Sequence, residues 1–230
     1  MPTTIPLTLE AEWLANLSRI RCWEPPVLPT LILAPHPDDE TLGCGGMIAR
    51  LRGRSIPVTI AAITDGENAY PAALGLGPLR IEEQALALQR LGVSRASVHR
   101  FHLPDSNVQS FEAELVNRIA ELATQKMHLV APWPHDFHPD HEATGRAAKQ
   151  IAERFGFELT YYLFWTWHRG TPDLLKTRSL VSLPLSELER TTKLHALQAH
   201  TSQFQHPSGQ PILNADLIRP AQRSFEVYIR

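Results

Sequence analysis

The chain has 230 residues, 43% of them hydrophobic, and a formal net charge of −2. This is ordinary for a soluble globular protein of one domain, and the charge gives no ground for expecting nucleic acid or an anionic membrane as partner. Two cysteines, Cys22 and Cys44, make no disulfide framework and fit a reducing compartment, so a cytoplasmic location is expected.

Residues 1–29 read as an N-terminal extension. The opening stretch, MPTTIPLTLEAEWLANLSRIRCW, lacks the basic start and continuous apolar run of a signal peptide. No apolar run in the chain reaches the roughly 18 residues of a membrane-spanning helix, so no membrane insertion is expected. Over residues 9–20, Leu9, Trp13, Leu17 and Ile20 share one helical face, suited to covering a sheet edge or a subunit contact. Pro25, Pro26 and Pro29 mark a linker.

Leu31–Ala34 is too short for a helix and reads as a buried strand. It runs through Pro35 into His36-Pro37-Asp38-Asp39-Glu40. Cys44, Met47, Ile48 and Leu51 then recur at helical spacing, which predicts a helix over about Thr41–Arg52 with Cys44 as a small core hydrophobe. Pro57–Ile63 is nearly all apolar, as buried parallel strands are. A loop follows over about Glu67–Pro78, then a helix to Leu91 that Gly92 stops. A third strand over about Ser97–Leu103 ends at Pro104-Asp105-Ser106, and a helix covers about Phe111–Thr124. The fourth strand, Met127–Ala131, runs into Pro132-Trp133-Pro134-His135-Asp136-Phe137-His138-Pro139-Asp140-His141, before a helix over about Glu142–Phe155.

Strands that alternate with helices predict an α/β fold, a mostly parallel sheet with helices on both faces in three layers, α/β/α. The expected order of these four strands is 3-2-1-4, with further strands near Leu159–Trp165 and Arg178–Leu183. Leu185–Ala199 reads as helical and Phe225–Ile229 as a late edge strand. The first and fourth strands then flank the reversal of the winding, and both histidine-bearing loops meet in one crevice. A single domain is expected over 1–230, with a core at 30–205 and a tail at 206–230.

The two loops bring together donors for a metal. A catalytic zinc site takes three protein ligands and keeps one position open for water. His36 and Asp39 come from one loop, and His135, His138 and His141 from the other. If Asp39 binds the ion, Asp38 is free to act as general base on a water whose pKa zinc lowers to about 7. His138 could stabilise the oxyanion or protonate the leaving group. Asp140 is placed to orient a histidine from behind the ligands. The chemistry implied is metal-assisted hydrolysis of an amide or ester.

PHPDDETLGCGG and HPDHEATG resemble the paired signatures of the PIG-L/LmbE-like N-deacetylases. Arg80-Ile81-Glu82-Glu83 with Leu91-Gly92-Val93, Leu103-Pro104-Asp105, and Lys193-Leu194-His195-Ala196-Leu197 with His200-Thr201-Ser202-Gln203 resemble further family segments. The resemblance covers about residues 30–205. It implies a Rossmann-like fold and removal of acetyl groups from N-acetylglucosamine-type sugars with zinc. It makes His36, Asp39 and His141 the metal ligands, Asp38 the general base, and His138 the oxyanion stabiliser or general acid. Arg80 and Asp105 match positions that hold sugar hydroxyls; the alternative for them is an ion pair between a helix and a neighbouring loop.

The expected partner is therefore a small-molecule amino-sugar substrate, with the oligomeric state, including a homo-oligomer, left open. Zn2+ is the expected cofactor, although the same donors can hold Fe2+ or Co2+. An amidase acting on a thiol-sugar conjugate or another acyl amide is the alternative on this scaffold. A non-catalytic protein would have lost these residues. A dinucleotide-binding protein would carry G-x-G-x-x-G, which Gly43-Cys44-Gly45-Gly46 does not match. Trp133, Trp165 and Trp167 are expected mainly as packing, with a sugar platform as the other role. His99, His102, His128, His168, His195 and His206 have no assigned role.

Overall fold

Thr30–Ala34 (β2) is buried at all five positions, as a strand covered on both faces must be. Its side chains alternate: Leu31 and Leu33 face one layer of helices, Ile32 and Ala34 the other. The computed structural model describes residues 6–70, 73–123, 126–205 and 211–230. Thr124, His206 and parts of the 67–78 loop and of the tail lie outside the described residues.

The other strands are Arg21–Cys22 (β1), Val58–Ala62 (β3), Val98–Arg100 (β4), His128–Pro132 (β5), Glu158–Tyr162 (β6), Leu180–Pro184 (β7) and Phe225–Ile229 (β8). They form one sheet in the order β1-β7-β8-β6-β5-β2-β3-β4. The run β4-β3-β2-β5 is the predicted 3-2-1-4, and its pairings are parallel. Asp39–Gly53 (α2), Leu76–Arg90 (α3) and Glu187–Leu197 (α8) supply the apolar cluster on one face. Glu112–Leu122 (α4) and Pro139–Phe155 (α5) supply the cluster on the other. The three-layer α/β/α expectation holds.

One expectation about the sheet margin needs correction. Phe225–Ile229 is no edge strand: β8 lies between β6 and β7, antiparallel to both. The reason is that both its faces are covered. Tyr228 belongs to the cluster under α2, while Val227 and Ile229 pack with Trp13, Leu163 and Trp167 on the other side. The edge is instead β1, two exposed residues beside β7, too short to show a pattern in sequence. The N-terminal helix, Glu10–Leu17 (α1), buries Trp13 and Leu17 against Trp165–Arg169 (α6) and Pro172–Leu175 (α7). Two short helices, Thr201–Phe204 (α9) and Ala215–Ile218 (α10), complete the α-helices among the described residues.

The predicted helix after β2 is present but kinked. Cys44 has non-helical angles, φ −144° and ψ 23°, so Asp39–Gly43 is a separate turn aimed by its own contacts. Gly43 lets that turn lie against the sheet: a Cβ there would come within 2.4 Å of the Tyr162 ring. The Glu226 carboxylate accepts from Gly46 N at 2.7 Å and Met47 N at 2.8 Å, capping the helix that restarts beyond the kink. Lys193 Nζ balances that charge at 2.7 Å. No helix among the described residues is long and apolar enough to cross a membrane.

Candidate active site

The loops after β2 and β5 sit side by side because their strands pair in register, Ile32 opposite Val130. Pro35 ends the first strand, and the chain turns at His36 with Asp38 N and Asp39 N both bonded to His36 O. In the second loop His138 is the N-cap of α5, and Pro139 occupies its first turn. His36, Asp39 and His141 are thereby gathered so that one donor atom of each lies within 4.8 Å of the others. Asp39 Oδ2 is 3.0 Å from His36 Nδ1 and 3.2 Å from His141 Nε2.

These residues fit a divalent ion. His141 Nε2 is buried and makes no hydrogen bond, since Asp39 Oδ2 lies close without the required alignment. On the other side of that ring, His141 Nδ1 is 2.9 Å from Asp136 Oδ2, which fixes Nε2 as the nitrogen facing the site. A second set, His36, His138 and Asp140, has similar spacing. It is the weaker candidate, because both Asp140 oxygens already accept backbone N–H groups, from Ser106 at 2.8 Å and Val108 at 2.9 Å.

The charges follow the same division. Burial opposes ionisation of Asp39, but His141 and His36 outweigh it and hold the carboxyl well below its usual range. Burial likewise pulls His141 down, but Asp39 and Asp136 outweigh that and raise it to about 9. The carboxylates thus favour protons on His36 and His141, which a cation binding there would displace. Asp38 differs: burial pushes it up to about 7, with Arg80 opposing and Asp39 adding to the rise. Its backbone is strained as well, at φ 154°. His138 is pushed down to about 3 by burial and by His36 and His141, so it is a neutral imidazole. Its Nδ1 accepts from Asp140 N at 3.3 Å, which leaves the ring proton on Nε2.

Arg80 and Asp105, the two residues expected at sugar hydroxyls, are both buried beside the acidic loop. Arg80 is 3% exposed and lies behind the acidic loop. Its Nη1 donates to Gly66 O at 2.9 Å, and its Nη2 to Pro37 O and Asp38 Oδ2, both at 3.2 Å. Arg80 thus pairs with Asp38 at the start of α2. Gly66 permits it: at φ +64° it is in the glycine-favouring region, and a Cβ there would meet the guanidinium at 2.2 Å. Asp105 Oδ1 is 3.3 Å from His36 Nε2, and its other oxygen accepts from Asn68 N at 2.8 Å. Asp140 Oδ2 also lies 3.2 Å from His36 Nε2.

Three residues that matter here have no role in the sequence reading. Asp136 is completely buried and accepts from Phe164 N, Trp165 N, Thr166 N and Thr166 Oγ1 besides His141. Its place in the loop, five residues before His141, is the only trace the sequence carries. Glu83, in the Arg-x-x-Glu segment, accepts from Thr201 Oγ1, Ser202 N and Ser202 Oγ, joining two of the resembling segments. Glu40 is buried against Gln84 and pushed up to about 7 by burial.

His135 is exposed and stands against Trp133, outside both candidate ligand sets. Trp133 and Trp167 are buried packing residues, whereas Trp165 is half-buried and stacks on His138. His99 and His195 are exposed, and exposed His102 pairs with Asp65. His128 bonds Thr160 Oγ1, and His168 and His200 are buried. Cys44 is buried and Cys22 exposed, both as free thiols.

Comparison with known proteins finds relatives named as deacetylases. The chain is 29% identical over 191 residues to a probable N-acetyl-alpha-D-glucosaminyl L-malate deacetylase 2 of Bacillus cereus, covering 75% of this chain and 82% of that one. It is 31% identical over 170 residues to a 1D-myo-inositol 2-acetamido-2-deoxy-alpha-D-glucopyranoside deacetylase of Nocardia farcinica, covering 59% and 56%. The fold is shared with the N,N'-diacetylchitobiose deacetylase of Pyrococcus horikoshii, with a TM-score of 0.60 at 20% identity over 87% of this chain and 75% of that one. The GlcNAc-PI de-N-acetylase family profile matches residues 31–152, more than half of the sequence, running from β2 into α5 and carrying both loops, so the chain belongs to the PIG-L family of GlcNAc-PI de-N-acetylases.

Proposed function

We propose that this protein is a metal-dependent N-deacetylase that releases acetate from an N-acetylated amino sugar or its conjugate. The observation that carries the reading is the meeting of His36, Asp39 and His141 from two distant loops, with Asp38 left outside the set. Relatives named as deacetylases of glucosaminyl malate and of an inositol glucopyranoside supply the substrate class. His36, Asp39 and His141 would hold the ion, zinc by preference for this nitrogen and oxygen set, with iron(II) also compatible. When bound, the ion supplies Lewis acidity, polarising the acetamide carbonyl and acidifying the attacking water.

The chain's own groups do the rest. Asp38 takes the proton from water. Its burial keeps it basic enough near neutrality, and Arg80 holds the carboxylate in place at 3.2 Å. His138 presents Nε2–H as a neutral donor to the oxygen that gains charge. The proton held by Asp38 then passes to the departing amine. Asp136 and Asp140 orient His141 and His36.

The test is acetate release from a panel of N-acetylated amino sugars and glucosaminides, before and after chelation and with zinc or iron(II) restored. The expected result is turnover of at least one sugar that chelation abolishes and one of the two metals restores. Turnover of other amides with no acetate from any sugar would overturn the reading.

A further inference from the structure

Beside His138 lies a surface that the acetamide chemistry does not use. The His138 ring stacks on Trp165, with centroids 5.8 Å apart and planes at 18°. The Arg169 guanidinium in turn lies 4.3 Å from the Trp165 ring centroid and donates through Nη1 to Phe137 O at 2.6 Å. The short helix carrying both residues is held by the N-terminal segment. Leu7 N donates to His168 O and Thr8 Oγ1 to Gly170 O, each at 2.8 Å, and Trp13 Nε1 donates to Trp167 O at 2.9 Å.

Among the described residues no carboxylate lies within ion-pair distance of Arg169. Three buried cations of the chain are paired by contrast: Arg80 with Asp38, Lys193 with Glu226, and Arg223 with Glu10. Asp136 acts on Arg169 through space, but its oxygens already accept from the 164–166 turn and His141. A half-buried guanidinium without a counter-ion carries an uncompensated desolvation cost. Stacked on an indole with the rest of its fork free, it has the geometry that grips a carboxylate or phosphate through paired N–H groups.

We propose that Arg169, stacked on Trp165, forms an anion-binding subsite that selects amino-sugar conjugates whose aglycone carries a carboxylate or phosphate. The subsite rests on the deacetylase reading and narrows it: the acetamide lies at His138, and the charged group one aromatic ring further out.

Four N-acetylglucosaminides test it, carrying a carboxylate aglycone, its methyl ester, a phosphate aglycone, and a plain methyl group. The readout is kcat/KM for acetate release by the metal-loaded enzyme. Wild type is expected to favour an anionic member over its neutral counterpart by about 10- to 100-fold, the range for a charge-assisted contact. The carboxylate and phosphate arms say which anion is preferred. Arg169→Gln is expected to bring the ratio close to one, mainly through KM, while Arg146→Gln on the exposed surface keeps the wild-type ratio. Arg169→Met, closer in bulk, is the second variant should the first fail to fold. No anionic preference in wild type, or a ratio unchanged in a folded Arg169 variant, overturns the subsite while leaving the deacetylase reading intact. No acetate from any of the four overturns the deacetylase reading, and the subsite with it.

Discussion

Adjacent aspartates differ here more than their sequence suggests. Asp39 faces two histidines and is held ionised, whereas Asp38 faces Arg80 from a strained backbone and stays basic. The motif makes both visible, and their division of labour follows from the helical turn that starts between them. Asp136 is the opposite case. Its partners at 164–166 lie about thirty positions away, so no local spacing could mark it. Its carboxylate both orients His141 and satisfies three backbone donors. Asp136→Asn keeps the size but replaces one acceptor oxygen by a donor. Its metal affinity is expected to fall about 10- to 100-fold. Chelator competition checks this, and unchanged affinity would remove Asp136 from the site.

At the scale of elements, the strand-and-helix alternation from β2 to α5 was legible because each segment has one clean period. The kink in α2 and the place of β8 were not. Gly43-Cys44-Gly45-Gly46 signals close approach but not a break, and what holds the break is a carboxylate 180 residues away. Glu226 ties β8, α8 and the restarted helix together through Gly46 N, Met47 N, Lys193 Nζ and Tyr228 OH. Glu226→Gln would leave Lys193 buried without its counter-ion, at an expected cost of about 3–5 kcal/mol. Adding Lys193→Met should recover part of that loss. Urea midpoints of the single and double variants decide it, and a double variant less stable than the single one would contradict the pairing.

Across the whole molecule, the parallel half of the sheet sets the site and the late strands buttress it. The reversal between β2 and β5 was readable from the order of elements alone. The N-terminal segment was not, because its docking on α6 is made by backbone carbonyls and Trp13. Stability also carries a molecular signature in pH. His128 and His168 are buried and make no ion pair with a carboxylate among the described residues, and burial, aided by nearby arginines, pushes both down to about 3. The unfolded chain takes up their protons near 6.5, whereas the folded protein resists until about 3. Stability is therefore full above about 6.5 and falls through that window, by about 1 kcal/mol per histidine between pH 7.5 and 5.5. Denaturant midpoints against pH should show this slope, and His128→Gln should flatten it; an equal slope in that variant would contradict the assignment.

Metal content and acetate release, measured together in Asp38→Asn and Asp39→Asn, test the central arrangement most directly. The arrangement predicts that Asp38→Asn retains its divalent ion and loses turnover by about a hundredfold or more, while Asp39→Asn loses the ion itself. An Asp38→Asn protein purified without metal, beside an Asp39→Asn protein that keeps it, would contradict the assignment of the two carboxylates and the mechanism built on it.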